Sequence, residues 1–178
     1  MHAFRHLNTI LHHKWLVMQG CFRVGLIWQG LTHDLSKFSP TEFRVGARYY
    51  QGTRSPNAKE REVFGYSEAW MHHKGRNRHH FEYWTDLIPG TTTYGPVEMP
   101  ARYLAEMVMD RIAACKTYQG KNYTDSSPLN YYNRSRENSN IHPETGRKLR
   151  VLLELLGREG EKELVRFIRQ TVLTGKPF

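Results

Sequence analysis

Apolar residues recur along this chain at three- and four-residue intervals, and few segments alternate apolar and polar residues, so the pattern predicts an all-α protein. From about Ala3 to Gly20, Phe4, Leu7, Ile10, Leu11, Trp15 and Leu16 form the stripe of a half-buried helix, and a second apolar segment runs from Cys21 to Leu31. Ser39-Pro40-Thr41-Glu42 joins a capping hydroxyl to a proline at the first helical position and a glutamate three residues after the cap; a helix starting there ends near Gly52. Thr53 to Asn57 reads as a loop. Ala58 to Lys74 reads as one further helix, carrying Val63, Phe64, Ala69 and Trp70 and stopping at Gly75.

A short segment holding His79, His80, Tyr83 and Trp84 follows. Leu87 to Glu98 contains Pro89, Gly90, three threonines, Gly95 and Pro96, which is loop chemistry and marks a candidate mobile lid. Pro100 opens a strong helix to about Tyr118, a polar connection passes through Ser126-Ser127-Pro128 to Asn140, and two helices close the chain, roughly Glu144 to Leu156 and Glu159 to Leu173. No internal repeat interrupts this order. With 178 residues and 39% hydrophobic side chains, the expectation is a single compact helical bundle over residues 1–178.

Composition narrows the setting. The two cysteines, Cys21 and Cys115, both fall in helical stretches, so no disulfide framework or cysteine-based zinc site is available, and a reducing compartment fits. The longest apolar run, Trp15 to Leu31, is broken by Gln19, Arg23 and Gln29, which predicts neither signal peptide nor membrane span, hence a cytoplasmic protein with no membrane partner. A formal charge of +9 draws anionic partners, such as nucleotides, nucleic acid or phosphorylated metabolites, without choosing among them. Surplus Lys and Arg that serve only solubility account for the charge equally well.

Histidines carry the candidate chemistry. His12 and His13, His33-Asp34, His72 and His73, His79 and His80, and Asp110 stand out among ten histidines and the helical aspartates. Imidazole and carboxylate are the ligands of zinc, manganese, iron, cobalt and nickel, and a carboxylate can bridge two ions. His13 has Thr9, Ile10, Leu16 and Val17 as same-face neighbours and points inward, whereas His12 neighbours Asn8, Thr9 and Trp15. A core histidine satisfied by backbone groups is the plain alternative for His13 alone.

Asp110 lies on the Pro100 helix among Leu104, Val108, Ile112 and Cys115, where an unpaired carboxylate is costly to bury. Arg111 or a metal must offset it, and the flanking Ala113 and Ala114 leave room for an ion. Within the pairs His72/His73 and His79/His80, one ring can bind metal while the other touches substrate or orients a ligand. His2, His6 and His142 read as surface or cap residues.

The string His33-Asp34-Leu35-Ser36-Lys37-Phe38 resembles the His-Asp doublet of the HD superfamily of metal-dependent phosphohydrolases. Together with Ala69-Trp-Met-His-His73, Asn77-Arg-His-His80, Tyr83-Trp84, Met99-Pro100, Glu106-Met107 and Asp110, it looks like an uncharacterised bacterial and phage branch of that superfamily, over about Leu11 to Tyr118. The resemblance implies an HD-type helical fold with a first metal on His13, His33, Asp34 and Asp110. Asp34 would bridge to a second metal held by one histidine from each later pair, His73 and His79, with His72 and His80 as alternates or substrate contacts. Lys37 would touch substrate phosphate. The doubled histidines and the short interval between the third and fourth ligand positions depart from the family pattern and leave one metal as an alternative to two.

The chemistry so implied is hydrolysis of a phosphate ester, a nucleotide being one candidate, by metal-activated water. Asp34 and Lys37 would act catalytically, and Arg76, Arg78 and Arg111 are weaker candidates for binding the phosphate. Two rivals stand beside it. Two irons on the same ligands would activate oxygen, and a basic helical module could bind nucleic acid through Arg78, His79, His80, Tyr83 and Trp84.

Overall fold

The computed structural model describes residues 2–135 and 140–178; the end of the polar connection, residues 136–139, lies outside them. Eight α-helices and one two-stranded hairpin make up the described residues, so the all-α reading holds. None of these helices is long and apolar enough to cross a membrane. Helix α1 spans His2–Arg23, α2 Ile27–Thr32, α3 Pro40–Arg48, α4 Pro56–Phe64 and α5 Glu68–Lys74; α6 spans Ala101–Gln119, α7 Ser127–Ser135 and α8 Pro143–Phe167.

The core lies where α1, α6 and α8 meet. Val17 and Cys21 of α1 and Leu104, Val108 and Ile112 of α6 bury against Leu149, Leu152, Leu153, Leu156 and Leu164 of α8, each contributing a regular apolar face. Both cysteines are buried and free.

The buried face of α1 differs from the stripe the apolar residues trace. His6, Ile10, His13, Val17 and Cys21 point inward, while Phe4, Leu11 and Trp15 remain 68%, 49% and 53% exposed. Apolar residues occupy more than one side of this helix, so periodicity alone does not settle its rotation; the two inward histidines do. His6 is therefore not a surface residue. Its ring packs against Phe43 and Tyr50 and fits into the space that Gly46 of α3 leaves open. His142 does cap a helix, accepting from the Glu144 amide at the start of α8.

The cap at Ser39 is present, its Oγ accepting from the Glu42 amide with Pro40 in the first turn. The single helix expected from Ala58 to Lys74 is two. Gly65 stops α4 in the left-handed conformation, φ 81°, and Ser67 recaps α5 by accepting from the Trp70 amide. Residues 87–98 do not form an open loop: Thr85–Leu87 (β1) pairs antiparallel with Tyr94–Pro96 (β2) around a Pro-Gly turn. The polar connection contains α7, and the closing segment is two helices joined at a kink, because Gly160 inside α8 leaves helical geometry at φ 80° and ψ 175°.

Two predictions follow from the packing of His6. A Cβ at Gly46 would stand 2.0 Å from the His6 ring, so Gly46→Ala should lower stability by about 2 kcal/mol, read from urea unfolding. Burial, and then the charge of Lys37, lowers the His6 pKa from 6.5 to about 4. The unfolded chain then binds the proton more tightly, so this contribution to stability is whole above 6.5 and is lost as pH falls from 6.5 towards 4. His6→Gln should lack that component, and its urea midpoint should fall less than the wild type's across this window.

Candidate metal centre

Four segments bring the site together: α1 carries His13, the α2 exit carries His33 and Asp34, α5 with the turn after it carries His73, His79 and His80, and α6 carries Glu106 and Asp110. Adjacent residues such as His33 and Asp34 ordinarily point apart. Here Asp34 takes the left-handed conformation, φ 55° and ψ 27°, the only non-glycine among the described residues with positive φ. That reversal turns both side chains towards one point, at a cost of about 1 kcal/mol that Asp tolerates better than most residues. The 3-10 turn Leu35–Phe38 then returns Lys37 to the carboxylate, Nζ to Oδ2 2.6 Å.

The two oxygens of Asp34 face different histidine sets. Oδ2 lies 3.3 Å from His33 Nε2 and 3.9 Å from His13 Nε2, and Asp110 Oδ1 completes this group at 3.0 Å from His13 and 3.5 Å from His33. Oδ1 lies 3.3 Å from His73 Nε2 and 3.4 Å from His79 Nε2, with His80 Nε2 a further 2.9 Å from His73. Each group could hold a metal ion: His13, His33, Asp34 and Asp110 in one, Asp34, His73, His79 and His80 in the other.

Asp34 Oδ1 and the Nε2 atoms of His33 and His79 are buried without a hydrogen bond of acceptable geometry, while Asp34 Oδ2 has the Lys37 ammonium and His13 Nε2 the Asp110 carboxylate beside it. Leaving such polar atoms unmatched costs about 1–3 kcal/mol each, and native interiors rarely do so. Their lone pairs converge instead on shared points, as metal ligands do.

A second layer fixes the rings. Glu106 Oε1 accepts from His33 Nδ1 at 3.0 Å and lies 3.2 Å from His79 Nδ1. Glu42 Oε2 accepts from His73 Nδ1 at 2.7 Å, and its Oε1 lies 2.6 Å from His72 Nδ1. These contacts turn the Nδ1 atoms outward and the Nε2 atoms towards the centre, where those of His73 and His80 meet at 2.9 Å. Asn77 braces the turn, donating to the His73 carbonyl and to Ser36 Oγ, each at 2.8 Å.

The electrostatics match this layout. Burial opposes ionisation of Asp34 and Asp110, but His33 and Lys37 beside the first and His13 and His33 beside the second hold both carboxyls well below the usual range. Burial likewise opposes ionisation of Glu106, yet its two imidazole partners bring it to about 2. For His33, burial favours the neutral ring and is outweighed by Asp34, Asp110 and Glu106, which raise its pKa. His13 and His80 are lowered, chiefly by burial. Glu42 is lowered too, burial being outweighed by its bonds to His73 and His72, and a pocket with four ionised carboxylates calls for positive charge.

The structure brings Asp34, His13, His33, His73, His79 and Asp110 together in two overlapping groups. His80 joins them directly, so the second histidine pair contributes both rings; His72 does not, being turned towards Glu42 at the rim. Lys37 stands at the edge with its side chain 31% exposed. Arg111 does not pair with Asp110: its guanidinium lies over the Tyr132 ring. Arg76 donates to the His72 carbonyl, and Arg78 reaches Tyr103 Oη and lies over Tyr83, both away from the centre. In the sequence Glu42 reads as a cap glutamate and Glu106 as part of the Glu106-Met107 match, neither with a role at the site. The usable signal was spacing, since Glu106 precedes Asp110 by one helical turn and shares its face.

A separate surface cleft of about 460 Å³, lined by Glu98, Arg147, Lys148 and Phe178, includes none of these residues. Its charges are already matched, Arg147 with Glu144 and Lys148 with Glu98.

A cation seated on these atoms is predicted to raise stability by about 2.7 kcal/mol at a hundredfold excess over Kd. Thermal melts with Mn²⁺ against chelator should show that shift in the wild type. Asp34→Asn, which keeps a residue tolerant of left-handed backbone, should fold and lose it.

Compared with known proteins, the chain matches one family model over residues 2–155, that of a family of unknown function, DUF5662. No curated protein and no solved structure matches it.

Proposed function

We propose that this chain, which belongs to DUF5662, a family of unknown function, is a metal-dependent phosphohydrolase that acts on a phosphate ester at a two-cation centre bridged by Asp34. The observation that carries this reading is the division of Asp34: one buried oxygen faces His13 and His33, the other faces His73 and His79. The ordered likeness to the HD superfamily supports the same chemistry. Bound there, divalent cations, whether Mn, Zn, Fe, Co or Ni, would lower the pKa of a coordinated water from about 16 towards about 7 and polarise a phosphoryl oxygen.

The chain's own residues do the remaining work. Asp34 sets the spacing of the two positions, and Asp110, 16% exposed, lies on the accessible side together with Lys37. The ammonium of Lys37 is held charged: burial works against it, but Asp34 outweighs burial and raises its pKa. An arriving phosphate dianion meets this charge first, and the same group steadies charge developing on the phosphoryl oxygens. The net +9 adds attraction at long range for a small anionic substrate such as a nucleotide.

The nucleic-acid alternative draws less support, because the His79 ring is 2% exposed and cannot stack on a base. Iron on the same ligands remains the competing chemistry and is separated by assay.

Phosphate release is to be measured from nucleotides and phosphate monoesters, with wild-type protein loaded in turn with each of the five metals. At least one pairing should give turnover, Asp34→Asn should give none, and Lys37→Ala should lower kcat/KM about 100-fold. Absence of phosphate release in every combination would overturn the reading, and oxygen uptake by iron-loaded protein would transfer it to an oxygenase.

A further inference from the structure

Glu106 occupies a position that neither cation group claims. It is 5% exposed, sits on α6 one turn before Asp110, and its Oε1 is 3.0 Å from His33 Nδ1 and 3.2 Å from His79 Nδ1. Those two rings lie 4.3 Å apart between centroids, and they belong to different groups: His33 to the first, His79 to the second. Both Nε2 atoms are buried and unmatched. One carboxylate oxygen therefore sets ring orientation and tautomer on both sides of Asp34.

The carboxylate is itself secured. Gln29 Nε2 donates to Glu106 Oε2 at 3.3 Å and to the Arg102 carbonyl at 3.1 Å, while Arg102 Nη2 donates back to Gln29 Oε1 at 2.9 Å. Glu42 offers the internal contrast, because among the ligand rings it meets only His73, of the second group.

We infer that Glu106 is a positioning residue shared by the two cation positions, so that their occupancy is coupled through one side chain. The inference rests on the two-cation reading. An ion on the first group fixes the His33 ring and with it Glu106 Oε1, which presents His79 to the second position already aligned. Loss of the acceptor at 106 thus disturbs both positions, whereas loss of Glu42 disturbs one.

Mn²⁺ binding by the metal-free full chain, followed by calorimetry, tests this, with far-ultraviolet circular dichroism as the check on folding. Wild type should show two binding steps. Glu106→Ala should weaken both by about 10- to 100-fold, and Glu106→Gln, which keeps an acceptor oxygen, should restore both to within about tenfold of wild type. Glu42→Ala should weaken one step only. Gln29→Leu leaves Glu106 in place but frees its Oε2, and should weaken both steps by less than about tenfold, which keeps the test open if Glu106→Ala does not fold. A single step affected by Glu106→Ala or Gln29→Leu, or no rescue by Gln in a folded variant, would overturn the inference while leaving the metal centre intact. A wild type that takes up no Mn²⁺ would remove the centre itself.

Discussion

The rest of the structure depends on one buried carboxylate. Asp34 is 2% exposed, and an ionised carboxylate taken out of water without compensation costs several kcal/mol. Four histidines and Lys37 surround it, His13 from the middle of α1 and the others from helix ends and the turns beside them. Left-handed backbone at Asp34 is part of the same constraint, since it aims two successive residues at one point. Such local strain persists only where the surroundings over-determine it, and here they do so through Lys37 at its side and Ser36 in the following turn.

Helices suit this task because they deliver side chains at fixed intervals from rigid supports. On α6 the one-turn spacing puts Glu106 and Asp110 on a common face, one as an outer brace and one among the converging ligands. α8 contributes no group to the centre. Its leucines form the floor on which α1 and α6 rest, so core and site are separate faces of shared helices. Two layers result: inner imidazoles and carboxylates that face one another, and outer carboxylates that decide how the inner rings are turned.

Much of this was legible from residue order. His13, His33, Asp34 and Asp110 carry the first group, and the all-α class follows from periodicity. The histidine pairs were harder, because two neighbours on a short helix or turn differ only in tertiary surroundings. Glu42 draws His72 to the rim and leaves His73 inside, while the turn after α5 sends both His79 and His80 inward. The hairpin at residues 85–96 was hidden by its proline and glycines, which signal a turn yet say nothing of the short strands flanking it. Gly65 breaks what the apolar pattern joins, a backbone effect that periodicity does not register.

The rotation of α1 answers two demands at once. Turning the helix to bury Leu11 and Trp15 would gain about 1.5–3 kcal/mol for each large side chain removed from water. It would also withdraw His13 from Asp110, 3.0 Å away, and His6 from its seat on Gly46. Asp110 would then be left as a buried charge without its nearest partner, a loss of about 3–5 kcal/mol that offsets most or all of the gain. The same turn would expose Ile10, Val17 and Cys21, which the core buries, so the observed rotation serves apolar burial and the charge cluster together and leaves Phe4, Leu11 and Trp15 in water.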